Sequence, residues 1–303
     1  MGEDAVYEWR AVGVHCRVVS SAPLVHDALV QQVETWEQTL SRFRPDSELN
    51  QLNRQRRMRV SPTLHAVLLA AREVAQWSNG LVVPSLGQHI SASGYDRTFA
   101  AVPAHQPGIN DPLVVPDWRD IGVNGREVTL PAHLTLDLAG VAKGWMAARL
   151  VAMFAPSHGR MLAQIGGDIA VTAPDAHAAW CVAVDHPFQA VPAGYIALFE
   201  GSVATSSVYE RRWMRAGVPV HHIIDPRTGL PAASDVATAS VIARDAPYAE
   251  AAAKVVIMRG RQAGLAWLTQ HGLPGLVIDV DGVTHTNAAW HPFVWPESTQ
   301  NHD

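Results

Sequence analysis

Apolar positions at helical spacing mark the first long element. From Pro23 to about Leu40, the residues Leu24, Ala28, Leu29, Val33, Trp36 and Leu40 recur on one face and predict an amphipathic helix. Ahead of it, Tyr7 to Val19 alternates with Val12, Val14, Cys16 and Val18 on one side, the pattern of a half-buried strand. Ser41 to Asn53 is polar and reads as turns. A second helix starts where Ser61 can cap and Pro62 can take the first helical position, and it stops at Gly80. Leu81 to Tyr95 is punctuated by Gly and Ser, and the Pro-rich stretch Ala101 to Pro116 predicts a long surface loop. Asn124-Gly125 between short apolar runs predicts a hairpin with positive φ at both turn residues.

From Leu134 to Trp145 a strand is predicted to give way to a helix that reaches about Phe154. Further strands are predicted at Met161 to Ile165, Ile169 to Thr172, Trp180 to Asp185, Tyr195 to Phe199 and Ala237 to Ala243. Helices follow at Pro247 to Met258 and Arg261 to Gln270, then a strand pair turning at Asp281-Gly282. Helices and strands interleave without a regular βαβ beat, which favours the α+β class. Residues 1–296 are read as one unit and 297–303 as a frayed polar tail.

Composition narrows this picture. An apolar content of 48% over 303 residues is that of a soluble globular chain, and a net charge of −5 without a basic block argues against nucleic acid. The Arg54, Arg56, Arg57 and Arg59 cluster is short and reads as a solvated loop. Cys16 and Cys181 stand apart, so neither a disulfide framework nor a zinc site is indicated. The acidic start and the lack of an apolar run of about 20 residues predict a cytoplasmic protein with no membrane insertion.

Four stretches concentrate polar chemistry. Val220 to Gly229 sets His221, His222, Asp225, Arg227 and Thr228 around Pro226 and Gly229, a strand end breaking into a tight turn or simply a surface hairpin. Leu138 to Gly144 joins a strand to a helix start with glycines and Lys143. It lacks P-loop spacing, but free N–H groups at a helix start attract an anion, the alternative being a packing turn. Gly166-Gly167-Asp168 reads as a tight turn or as close backbone approach to a ligand. Thr205-Ser206-Ser207 lines up hydroxyls that could satisfy a turn or a nucleotide. No H-E-x-x-H, G-x-S-x-G or G-x-G-x-x-G pattern occurs.

Taken in order, these stretches resemble the ApbE-type FAD:protein FMN transferases. The likeness rests on Ser41-Arg42-Phe43, Asp46-Ser47-Glu48-Leu49, Asn53, Leu136 to Gly144, Ile165 to Ile169, Ala204-Thr205-Ser206 and His222 to Gly229. It implies a T-fold-related α+β unit of antiparallel sheets flanked by helices, with FAD in a central cleft. It also implies that a threonine or serine hydroxyl of a partner protein takes FMN from FAD and AMP leaves. By resemblance, His222 is the catalytic group, with Asp225 orienting it or its neighbours and Lys143 assisting at the phosphates. The flavin and nucleotide are expected against Ser47, Glu48, Leu49, Ala139, Gly140, Val141, Lys143, Gly166, Gly167, Asp168, Thr205, Ser206, Ser207, His222, Ile224 and Thr228.

The family's magnesium ion is implied at an aspartate, a threonine four residues later and a backbone carbonyl. Here those positions read Glu250, Lys254 and Ala142, and lysine offers no acceptor. The Lys254 ammonium is therefore expected to stand where the metal charge would sit, unless Glu250 and Lys254 form only a helical ion pair. Val12-Gly13-Val14 replaces the family's Met-Gly-Thr, Val83 its aspartate before Pro84, and Ser207 a common glycine. Two alternatives accompany the transferase reading: an FAD-binding protein without turnover, and an FAD pyrophosphatase releasing FMN and AMP.

Overall fold

The centre of the molecule is an eight-stranded antiparallel sheet in a computed structural model that describes residues 4–108, 114–173 and 179–296. Its strands lie in the order Ala5–Ala11, Val14–Ser20, Met161–Ile165, Asp168–Thr172, Glu200–Ser207, Val236–Ala243, Gly275–Asp279 and Thr284–Thr286. Val236–Ala243 is buried at every position, as expected of a central strand covered on both faces.

Seven helices accompany the sheet among the described residues: α1 His26–Leu40, α2 Glu48–Gln55, α3 Pro62–Trp77, α4 Gly87–Ala92, α5 Ala142–His158, α6 Ala246–Arg259 and α7 Arg261–Gln270. One sheet face, with Val18, Ile165, Ala170, Ala239, Val241 and Val277, packs against Leu29, Val33, Leu68, Leu150 and Val255 from the helices. The other face, with Leu162, Val171, Val203, Ile242 and Ile278, is covered by the hairpin of Trp180–Val184 and Gly194–Leu198 and by Trp290. Burying each large apolar side chain contributes roughly 1.5–3 kcal/mol. Both layers are built on the same sheet, so they form a single α+β unit.

Most predicted elements are present, and the departures have local causes. Tyr7 to Val19 is two strands, not one, turning at Val12-Gly13 with φ of 47° and 72°. The inward positions change there from odd (Tyr7, Trp9, Ala11) to even (Cys16, Val18), which only a turn can produce. Within the polar Ser41 to Asn53 stretch lies the start of α2, whose buried face of Leu49, Leu52 and Asn53 is too short to show a period. Ser47 caps it by accepting from the Asn50 N–H at 3.1 Å. Ser61 caps α3 in the same way, accepting from the Leu64 N–H.

Residues 134–138 belong to no strand or helix. The Asn53 amide donates to Leu136 O at 3.1 Å and accepts from Leu136 N at 2.8 Å, taking the place of a ladder neighbour. The Asn124 hairpin exists, but Asn124 pairs with Glu127, so the turn is Gly125-Arg126 and only Gly125 has positive φ. Helix α5 runs one turn beyond Phe154 to His158 and carries Pro156 within it. Of the predicted loop from 101 to 116, residues 109–113 lie outside the described residues, and His105–Gln106 pairs with Met214 and Arg215. The tail 297–303 lies outside them too. No helix among the described residues is long and apolar enough to cross a membrane.

Candidate active site

The turn at 138–143 is anchored before the helix begins. The Val141 and Ala142 N–H groups both donate to Leu138 O, and Asp137 Oδ1 accepts from the Ala139 N–H at 2.7 Å. Arg42 Nε lies 2.8 Å from Asp137 Oδ2 but is poorly aligned, which leaves Arg42 Nη2 and Asp137 Oδ2 buried without hydrogen-bond partners. The guanidinium carbon lies over two rings, 4.0 Å from the Phe43 centroid and 4.6 Å from the Tyr95 centroid. Asn50 holds the loop that carries Arg42, donating to the carbonyls of Arg42 and Arg44.

In the first turn of α5, Lys143 reaches two buried carboxylates. Its ammonium donates to Asp168 Oδ2 at 2.6 Å and to Glu250 Oε1 at 2.8 Å. Lys254, one turn along α6 from Glu250, donates to the same Oε1 at 2.9 Å and to Gly140 O at 3.4 Å. Glycines permit this convergence. A Cβ on Gly144 would lie 3.0 Å from Ala246 O, so its absence lets α5 and α6 approach, and the Gly144 N–H points at Glu250 Oε2. A Cβ on Gly167 would lie 2.7 Å from Thr205 O, where the Thr205 N–H donates to Gly167 O. Gly166, at φ 64°, turns the hairpin that delivers Asp168.

Charge follows from this packing. Burial works against the Lys143 ammonium, but Asp168 and Glu250 outweigh it and hold its pKa above the ordinary lysine value. Burial and the nearby Glu250 push Asp168 up to about 6, against the pull of Lys143 and Lys254. Burial alone would raise Glu250 as well, yet the two ammonium groups draw it below the usual carboxylate range.

The two histidines separate cleanly. His221 Nδ1 accepts from the Ile223 N–H, so Nε2 carries the proton and donates to Ala232 O at 3.0 Å. His222 Nδ1 is buried with no hydrogen-bond partner, and its ring meets Tyr95 edge-on at 6.4 Å. Burial first, then Arg211, His221, Lys254 and Lys143, hold its pKa well below 6.5, so the ring is neutral at physiological pH. The effect of Lys143 and Lys254 on His222 puts the histidine and the Lys143 cluster in one electrostatic neighbourhood. Arg42, Lys143, Arg211 and Lys254 face Asp137, Asp168 and Glu250 there, leaving one positive charge in excess. That excess suits an anionic ligand.

Not every expected residue arrives there. Asp225 turns to Arg227: Oδ1 accepts from the Arg227 N–H at 2.9 Å and the guanidinium covers both carboxylate oxygens. Arg227 Nη2 also donates to Met258 O at 2.8 Å. The expected orienting contact from Asp225 to His222 is thus not made through Nδ1; the Asp225 turn instead clips onto the end of the helix that carries Lys254. Thr228 closes that turn and is exposed, while Ile224 is buried. Ser47 and Leu49 are fully buried, and Glu48 accepts from the Ser61 N–H, so these three support the Arg42 loop from within. Val141 is buried, whereas Ala139, Gly140, Gly167, Lys143 and His222 keep accessible surface.

The hydroxyls divide by strand alternation. Ser206 shares the helix-facing side with Asp168, while Thr205 bonds Ser240 at 2.8 Å on the opposite side and Ser207 accepts from the Tyr209 N–H. Ala142, expected to offer a metal-binding carbonyl, opens α5, where the helical ladder takes up that carbonyl. The carbonyl beside Lys254 is that of Gly140. Arg42, Tyr95, Asp137 and Arg211 also converge on the site. The first and third lay within recognised motifs, but no local pattern distinguished Tyr95 or Arg211.

A helix-backed antiparallel sheet with a cationic turn at a helix start makes this an α+β protein equipped to hold an anion. The chain belongs to the ApbE family, whose profile matches residues 7–277. It is 32% identical over 297 residues to the FAD:protein FMN transferase of Treponema pallidum, covering 88% of this chain and 81% of that one. Against the FAD:protein FMN transferase of Vibrio cholerae the identity is 25%, over 88% and 83% of the two chains. The fold matches the ApbE protein of Thermotoga maritima with a TM-score of 0.86 at 21% identity, over 97% of this chain and all 100% of that one. It also matches the apo flavinyl transferase ApbE of Pseudomonas stutzeri at 0.79 and 18% identity, over 96% of each.

Proposed function

We propose that this chain transfers FMN from FAD to a threonine or serine hydroxyl of a partner protein. Family membership supplies the reaction class. The observation that carries the reading to these residues is the unpartnered, neutral His222 ring in the same field as the Lys143 turn. The hydroxyl oxygen attacks the FMN phosphorus, a new P–O bond forms, and the bond to the AMP phosphate oxygen breaks with its electron pair leaving on AMP. His222 takes the hydroxyl proton, a role for which a neutral imidazole is suited and which contributes typically about 10²–10⁴-fold. Lys143, Arg42 and Lys254 face the pyrophosphate and offset the charge that develops on it.

Ala139, Gly140 and Gly167 offer backbone to the nucleotide, with Lys143 at the helix start. Thr205, Ser206 and Ser207 support this wall more than they line it, because two of their hydroxyls already have protein partners. The free thiols of Cys16 and Cys181 are compatible with a cytoplasmic location. The test is AMP release from FAD with and without an acceptor polypeptide bearing an accessible threonine. AMP formed only with acceptor supports transfer. AMP formed from FAD alone indicates hydrolysis, and FAD binding without AMP indicates a carrier.

A further inference from the structure

The metal ion that family membership implies does not fit the residues present. A divalent magnesium ion needs about six oxygen ligands in near-octahedral array. Here Glu250 Oε1 is held by two ammonium groups at 2.8 and 2.9 Å, and Oε2 faces the Gly144 N–H at 3.4 Å. Lys254 carries no lone pair when protonated. Among the described residues, no group of three or more His, Cys, Asp or Glu side chains gathers as a ligand set. A cation is nevertheless already seated between the oxygens: Lys254 Nζ touches Glu250 Oε1 at 2.9 Å and Gly140 O at 3.4 Å.

We infer that Lys254 is a built-in cation replacing the divalent metal, so that this chain binds the FAD pyrophosphate without magnesium. The inference rests on the FAD reading for its ligand but not for its metal claim. Two features make the replacement coherent. Glu250 and Lys254 sit one helical turn apart on α6, so the ammonium is held by its own helix, and the Arg227 contact to Met258 fixes the next turn of that helix. Lys143, a residue of the family's own turn motif, donates to the same carboxylate oxygen, so Glu250 Oε1 is engaged by two ammonium groups and not open to a divalent ion. An ammonium supplies charge and three donors but imposes no octahedral geometry, so it can hold a phosphate that a metal would have to coordinate. The turn carbonyl of Gly140 accepts from Lys254 Nζ at 3.4 Å.

The test uses the full chain with Mn2+ as a paramagnetic probe of divalent binding, and FAD fluorescence for affinity. The wild type is expected to take up no stoichiometric Mn2+, and its FAD affinity is expected to be the same in EDTA and in Mg2+. Lys254→Thr removes the charge and restores an oxygen, so it should gain Mn2+ binding. Its FAD affinity should fall about tenfold in EDTA and recover with Mg2+, a single-charge effect of the size expected for a partly buried phosphate contact. Lys254→Arg, which keeps the charge, should retain metal-independent FAD binding. Thermal melts establish that each variant is folded. Stoichiometric Mn2+ uptake by the wild type overturns the inference, as does a folded Lys254→Thr protein that binds no more Mn2+ than the wild type. If FAD fails to bind the wild type under any condition, the functional reading fails, while the Mn2+ measurements still decide the metal claim.

Discussion

Replacing Lys143 by methionine probes the centre of the site with little change in volume. The ammonium sits on Asp168 at 2.6 Å and on Glu250 at 2.8 Å, and both carboxylates are buried. Glu250 keeps Lys254 at 2.9 Å, so the loss falls mainly on Asp168. Leaving one partner of a buried ion pair uncompensated costs about 3–5 kcal/mol, and Lys254 brings the expected loss toward 3 kcal/mol. Converting Asp168 to asparagine in the same chain removes the stranded charge, so the double variant should be more stable than Lys143→Met alone, with a coupling of about 2 kcal/mol.

The pH dependence has a definite sign. Asp168 is raised from 3.8 to about 6, so its charged form is disfavoured by folding; its contribution is full below pH 3.8 and is lost as pH rises through about 6. Without Lys143 that pKa rises further, and the variant's deficit should be large at pH 8 and shrink toward pH 5. Urea denaturation followed by tryptophan fluorescence at both pH values measures it. A loss under about 1 kcal/mol at pH 8, or one that does not change with pH, would refute the account of the cluster.

Three other perturbations test separate links. Gly144→Ala places a Cβ 3.0 Å from Ala246 O and should cost roughly 1–3 kcal/mol in a thermal melt while weakening FAD binding. Asn53→Ala strips Leu136 of both its amide partners in a buried setting, and a loss of about 1–3 kcal/mol by chemical denaturation is expected. His222 is held below 6.5, so its contribution to stability is full above 6.5 and falls as pH drops from 6.5 toward the lower folded value. Its imidazole signals should titrate below pH 6.5 by NMR. His222→Ala should lower turnover by about 10²–10⁴-fold with little effect on FAD affinity.

Strands and helices were legible wherever apolar spacing ran long enough to repeat, as in α3 with its Ser61 cap and Pro62 start, or α7 from Arg261 to Gln270. Short elements escaped because two or three buried residues make no period, which is why α2 passed for a turn. The Val12-Gly13 hairpin was readable in principle from the shift in inward phase, but Val at positive φ gave no conventional turn signal. Within the site, Lys143, Asp168, Glu250 and Lys254 were all named from sequence, yet their convergence depends on Lys143 bridging to Asp168, 25 residues away, and to Glu250, 107 residues away, on other elements. The same limit hid the contact of Arg42 with Tyr95, whereas Asp225 turns to Arg227 only two residues on, a local pairing that competes with the expected one to His222.

The most direct measurement is the intact mass and peptide map of an acceptor protein after incubation with this chain and FAD. FMN should become attached through a phosphoester to one threonine or serine, with an equal amount of AMP released and none from FAD alone. An acceptor that stays unmodified while AMP accumulates would contradict transfer.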